Sequence, residues 1–241
     1  MLTAQALTKR FGDHLALDGL DLHIAPGEVF CLLGANGAGK STTIKLFLGF
    51  LAPTAGRALV DGVEVAADPI RARSRLLYIP EQVALHEELT GLENLVYFAR
   101  LGAVPDASPR RLTACLEEAG LAPTAVHRRV SGYSKGMRQK VGVALAIAKG
   151  AKALLLDEPT SGLDPQASAD FHDLVARQRD AGAAVLMATH DLFRARQIAD
   201  RVGVMRGGKL RLSFDAQELS AQDLEAVYLQ AMVAEPAPLR S

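Results

Sequence analysis

Short apolar runs alternate along the chain with longer stretches whose apolar positions fall at helical spacing. That alternation predicts a largely parallel sheet covered by helices. EVFCLLG (28–34) is apolar through its centre and ends in glycine, so it reads as a buried strand, with a helix expected over 40–50. RLLYIP (75–80), ALLLDEP (153–159) and AAVLMATH (183–190) read as three more buried strands. The opening segment, LALDGLDLHI (15–24) and RALVDGVEV (57–65) alternate apolar with polar positions and predict an antiparallel patch. RVGVMRGGKLRLS (201–213) predicts a strand, a Gly-Gly turn and a strand.

Between 81 and 150 the spacing is helical throughout. Thr90 and Glu93 have capping-box spacing ahead of NLVYFARL, and Ser108 followed by Pro109 opens another helix. Ser134 is placed to cap the helix that runs into VGVALAIAKG. The expectation is an α/β core over 1–232 carrying an inserted helical subdomain at about 83–150. The tail AEPAPLRS is expected to be disordered, with the domain ending at 232.

Composition narrows the picture modestly. The chain has 241 residues, of which 49% are hydrophobic, enough for one large core. Twenty-seven basic residues balance 27 acidic ones, which gives no support for nucleic-acid binding. Cys31 and Cys115 stand in no metal-ligand spacing. Cys31 reads as a small buried hydrophobe, and the pair suits a reducing cytosol. No run reaches the roughly 18–20 apolar residues of a membrane span, and MLTAQALTKRFGD lacks the apolar centre of a signal peptide.

The candidate chemistry begins at GANGAGKST (34–42), which follows a predicted strand and opens a predicted helix. In that setting the pattern is a phosphate cradle. Glycines 34, 37 and 39 let backbone amides curl round a β-phosphate, Lys40 reaches the β- and γ-phosphates, and Ser41 ligates Mg²⁺. At the end of ALLLDEP a carboxylate sits on a buried strand, which is costly unless something there needs it. Asp157 beside a Mg²⁺ site is such a need, and Glu158 can then face the γ-phosphate and polarise a water. An acidic pair capping a helix before Pro159 is the plainer alternative. His190 ends its strand at the same carboxyl edge of the sheet, where open α/β sheets bind ligands. His14, His23, His86, His127 and His172 have no such placement. The end of the helix capped by Ser134 attracts anions in its turn.

Together these residues resemble the nucleotide-binding subunit of ATP-binding cassette (ABC) transporters over nearly the whole chain. GANGAGKST resembles the Walker A loop (Gly34, Ala35, Asn36, Gly37, Ala38, Gly39, Lys40, Ser41 and Thr42), and LLLDEP the Walker B strand. Phe11 matches the aromatic residue that stacks on adenine, Gln82 the Q-loop glutamine, and His190 the switch histidine. Tyr133, Ser134, Lys135, Gly136 and Met137 match the signature motif, and Ser161, Gly162, Leu163 and Asp164 the D-loop. The resemblance implies a P-loop NTPase, RecA-like fold with Mg²⁺ held by Ser41, Gln82 and Asp157. It also implies ATP sandwiched between one subunit's Walker A and another's signature helix, with Glu158 and His190 in catalysis. The partners implied are a second ATPase subunit and a separate integral membrane subunit, and the Ser-Lys-Gly-Met form resembles bacterial subunits that often serve exporters. The place implied is the cytoplasmic face of the inner membrane. The commonest signature has glycine where this chain has Lys135. Its ammonium either adds attraction for the γ-phosphate or points to solvent, and solvent is the expectation.

Rival functions fit less well. A chromosome-maintenance ATPase needs long coiled coils, and no heptad run is present. A ribosome-acting relative carries two cassettes. A nucleotide kinase leaves the signature motif unexplained. A single cassette in a soluble assembly complex, as in iron–sulfur cluster assembly, stays open.

Overall fold

The structure, a computed structural model, describes residues 1–218 and Tyr228. The tail expected to be disordered (233–241) lies outside the described residues. The chain begins with the antiparallel pair β1 (Leu2–Phe11) and β2 (His14–Ile24). It continues through β3 (Val29–Leu33), α1 (Lys40–Phe47), β4 (Ala55–Val60), β5 (Val63–Glu64), α2 (Pro69–Ser74) and β6 (Leu76–Ile79). Four helices follow: α3 (Gly91–Leu101), α4 (Pro109–Glu118), α5 (Pro123–Val126) and α6 (Lys135–Lys149). The last third holds β7 (Ala153–Asp157), α7 (Pro165–Asp180), β8 (Ala184–Thr189), α8 (Leu192–Ile198), β9 (Arg201–Arg206) and β10 (Lys209–Asp215).

Among the described residues the strands form two sheets. One is antiparallel, in the order β2-β1-β4-β5. The other runs β10-β9-β3-β8-β7-β6 and is parallel except for the β9–β10 hairpin, which turns through Gly207 and Gly208. The period-two pattern of its strands sorts side chains onto two faces. Cys31, Leu33, Leu154, Leu156, Val185 and Met187 share a core with α3, α4, α6, α7 and α8. Phe30, Leu32, Leu155 and Leu186 share the other with the antiparallel sheet and with Ile44 and Phe47 of α1. Each such side chain, fully buried, contributes about 1.5–3 kcal/mol. Cys31 and Cys115 are both buried and free. Burial pushes the Cys31 thiol far above its ordinary value, so it behaves as a small hydrophobe.

The capping expectations match the structure. Thr90 accepts from the Glu93 N–H while the Glu93 carboxylate accepts from the Thr90 N–H. Ser108 and Ser134 each cap their helix. The first core helix is shorter than expected, ending at Phe47 rather than residue 50. Gly49 has φ +67°, its N–H bonds the Leu46 carbonyl, and the Phe50 N–H bonds that of Lys45. This Schellman turn closes the helix, and the glycine is its sequence signal.

β6 and β7 pair directly, yet α3 to α6 lie between them in the chain. Leu95, Leu112 and Val141 of those helices pack into the same core as Val29 and Leu33 of β3. No helix among the described residues is long and apolar enough to cross a membrane. The parallel strands end level, with Leu33 opposite Thr189, Asp157 opposite Ala188 and Ile79 opposite Leu156. That register gathers residues 34, 81, 158 and 190 along one edge.

Candidate active site

At this edge lies a cleft of about 630 Å³, lined among others by Phe11, Ala35 through Thr42, Glu81, Gln82, Asp157 and Glu158. The loop after β3 enters α1 through Gly39, which has φ +112° and offers no side chain to cap the helix. A Cβ there would lie 2.8 Å from the Ala16 carbonyl oxygen, so the tight entry requires glycine. The uncapped first-turn amides are left for an anion. Gly34 is not among the lining residues. An added Cβ at Gly34 would meet the Met205 carbonyl oxygen at 2.5 Å, so its glycine serves contact with the next strand.

Lys40 is buried, and its Nζ donates to the Gly34 and Ala35 carbonyls at 2.5 and 3.2 Å. It also lies 3.9 Å from Glu158 Oε1. Burial lowers its pKa below the ordinary lysine value, against the opposing pull of Glu158 and Asp157. Ser41 Oγ donates to Asp157 Oδ1 at 3.4 Å. Burial pushes the Asp157 carboxyl above its usual range, and the Glu158 and Glu81 carboxylates push the same way, while Ser41 and Lys40 draw it back. A hydroxyl and a carboxylate this close make a hard oxygen pair suited to Mg²⁺, which typically completes its shell with water and phosphate oxygens. Among the described residues no cluster of three His, Cys, Asp or Glu side chains could hold a metal by itself.

Glu158 leaves the strand with φ +47°, a left-handed conformation that strains a non-glycine residue by about 1–3 kcal/mol. Its N–H is held by the Ala188 carbonyl at 2.9 Å. Its carboxylate meets His190 Nδ1 at 2.9 Å and accepts from Thr189 Oγ1 at 3.3 Å. His190 reaches the cleft through this bond, its own side chain being largely exposed. Phe11 is 46% exposed, so it is not a core residue. Lys9 Nζ lies 5.0 Å from the centre of its ring.

The signature and D-loop residues lie outside this cleft. Ser134 is exposed, and its Oγ accepts from the Met137 N–H at 3.3 Å. Tyr133 departs from the expectation of a site residue. It is buried, and its hydroxyl donates to the Ala125 carbonyl at 2.6 Å, which makes it core. Met137 is half-buried against the same core and accepts a bond from Arg128. Gly136 faces the D-loop, where an added Cβ would lie 3.4 Å from Ala167 and 3.8 Å from Leu163. Leu163 is buried, Gly162 exposed, and Asp164 caps α7 by accepting from the Ala167 N–H. The expectation that Lys135 points to solvent is corrected. Its Nζ donates to the Ser161 carbonyl at 2.5 Å and lies 3.8 Å from Glu81 Oε1. The ammonium thus keeps a charge-assisted hydrogen bond to the D-loop carbonyl where one to water was expected.

Sequence reasoning passed over Glu81, Gln139 and Thr189. Glu81 is the neighbour of Gln82 whose carboxylate acts on Asp157. The buried Gln139 of α6 donates to the Pro80 and Glu81 carbonyls. Thr189 could have been found as a hydroxyl at the end of an otherwise apolar strand.

A family model described as ABC transporter matches residues 17–161. Over 222 residues the chain is 39% identical to a daunorubicin resistance ATP-binding protein of Streptomyces coeruleorubidus, covering 92% of this chain and 70% of that one. The structure of an ATP-binding subunit of an ABC transporter matches with a TM-score of 0.84 at 29% identity, over 97% of this chain and 100% of the other. A dimeric ATP-binding cassette in a post-hydrolysis state, bound to ADP and Pi, matches with a TM-score of 0.78 at 25% identity, over 90% and 99%.

Proposed function

The chain belongs to the ABC transporter family as an ATP-binding subunit with ATPase activity, and from this premise we propose that it works as one half of a head-to-tail pair, driving export through a separate membrane subunit. The observation that carries the reading is the division of the site within one chain. Lys40, Asp157 and Glu158 line the cleft, whereas Ser134 stands exposed outside its lining at a helix end suited to phosphate. In a pair, Ser134 and Gly136 complete the partner's cleft.

Within the cleft Lys40 binds the β- and γ-phosphates, and Phe11 stacks on adenine. Glu158 takes the proton of the attacking water as the water oxygen bonds the γ-phosphorus. The bond from that phosphorus to the β–γ bridging oxygen breaks, so that ADP leaves. His190, bonded to the Glu158 carboxylate, fixes its direction and touches the γ-phosphate. Ser41, Asp157 and Gln82 hold Mg²⁺, which when bound neutralises charge on the phosphates. The helices α3 to α6 make the arm that meets the membrane subunit. An apolar cleft of about 230 Å³, lined by Leu85, Leu95, Phe98 and Leu145, supports this. Gln82 lines both clefts and links nucleotide occupancy to the arm. The protein then sits at the cytoplasmic face of the inner membrane, and the drug-resistance relative supports export over import.

Glu158→Gln tests the core of this. The variant is expected to bind ATP, to lose at least about 100-fold in turnover, and to accumulate as an ATP-bound dimer in size-exclusion chromatography. Turnover at the wild-type rate would remove Glu158 from the role.

A further inference from the structure

Three segments distant in sequence meet at the Lys135 ammonium: the signature turn, the D-loop at Ser161 and Glu81 beside the acidic cleft. A cation in the first turn of a helix opposes the helix dipole, so its presence there needs a compensating contact. The Ser161 carbonyl is that contact. The Glu81 pair is longer and half-exposed and contributes little. The preceding carbonyl, Thr160, is held by Arg194 of α8, so two cations from different elements grip consecutive peptide groups of one loop. Below the grip, Leu163 and Ala167 pack against Gly136. Signature turn and D-loop are thus one fastened surface.

We propose that Lys135 is a positioning residue that fastens the D-loop to the signature turn and so sets the shape of the face a second copy of this chain receives. This rests on the paired-site reading. In a chain with glycine at this position the loop carbonyls would keep the Arg194 bond from α8 but lose the one from the signature turn. The packing of Leu163 and Ala167 on Gly136 would be left to hold the two motifs together. Lys135 therefore acts on the neighbour's cleft without touching its nucleotide.

The test uses the full chain with Lys135→Met and Lys135→Arg, alone and combined with Glu158→Gln. Without nucleotide, hydrogen exchange in 158–164 reads the fastening directly, since the Ser161 and Leu163 amides are bonded within that loop. Lys135→Met is expected to speed that exchange severalfold, with a fall in Tm of no more than about 2–4 °C. It is also expected to raise the ATP concentration for half-maximal dimerisation of Glu158→Gln by about tenfold, the scale of one charge-assisted hydrogen bond. Lys135→Arg, which keeps a donor, is expected to restore both. Unchanged exchange in Lys135→Met overturns the proposal, and so does faster exchange with unchanged dimerisation. If Glu158→Gln with Lys135 intact stays monomeric in ATP, the paired-site reading fails and takes this proposal with it.

Discussion

Asp157 shows how a single residue can be set against the fold that carries it. Burial raises its carboxyl above the unfolded value of 3.8, so the folded chain holds that proton more tightly than the unfolded one. Its contribution to stability is therefore full below about pH 3.8 and is lost as the pH rises through the folded value. At neutral pH the ionised group costs stability. Asp157→Asn is expected to raise the Tm of the nucleotide-free protein at pH 7, each kcal/mol showing as about 2–4 °C, while ATP turnover disappears. The gain in Tm should shrink as the buffer is made acidic, and a lowered Tm at pH 7 would contradict the assignment of cost. The chemistry of Asp157 was legible in the sequence because a charge on an apolar strand stands out. The destination of Lys135 was not, because its partner carbonyl lies 26 residues away and carries no side-chain signal.

Elements were read well where local chemistry alone decides them. The capping box at Thr90 and the Pro109 helix start follow from contacts within a few residues, and the buried strands were marked by their apolar runs. Gly49 ended α1 early because a Schellman turn outweighs the apolar spacing that continues past it. Tyr133 looked like part of a motif and proved to be core, since its hydroxyl finds a carbonyl inside the helical layer. Gly136 is the contrasting case. The chain has room for a methyl group there at ordinary contact distance from Ala167. Gly136→Ala is therefore expected to leave Tm within about 1 °C, a surface-scale effect, while ATP-driven dimerisation of a Glu158→Gln background falls sharply. An equal loss of both in thermal melts and light scattering would mean that the glycine serves its own fold.

At the scale of the whole molecule, the pairing proposed above gives each chain two unlike halves of a site. A mixture of Lys40→Ala and Ser134→Ala chains can form only one kind of intact composite cleft, between the wild-type Lys40 of one chain and the wild-type Ser134 of the other. Such a mixture is expected to recover a measurable fraction of ATPase turnover that neither variant shows alone. No recovery at any mixing ratio would count against pairing. The order of strands in the large sheet has a separate consequence, for synthesis. β3 ends at Leu33, yet both its neighbours, β8 and β9, begin only at Ala184 and Arg201. A nascent chain halted before residue 184 thus carries the central strand with both edges bare, and the phosphate loop hangs from a support not yet built. The ribosome must release most of the polypeptide before the first strand buried along its whole length finds shelter.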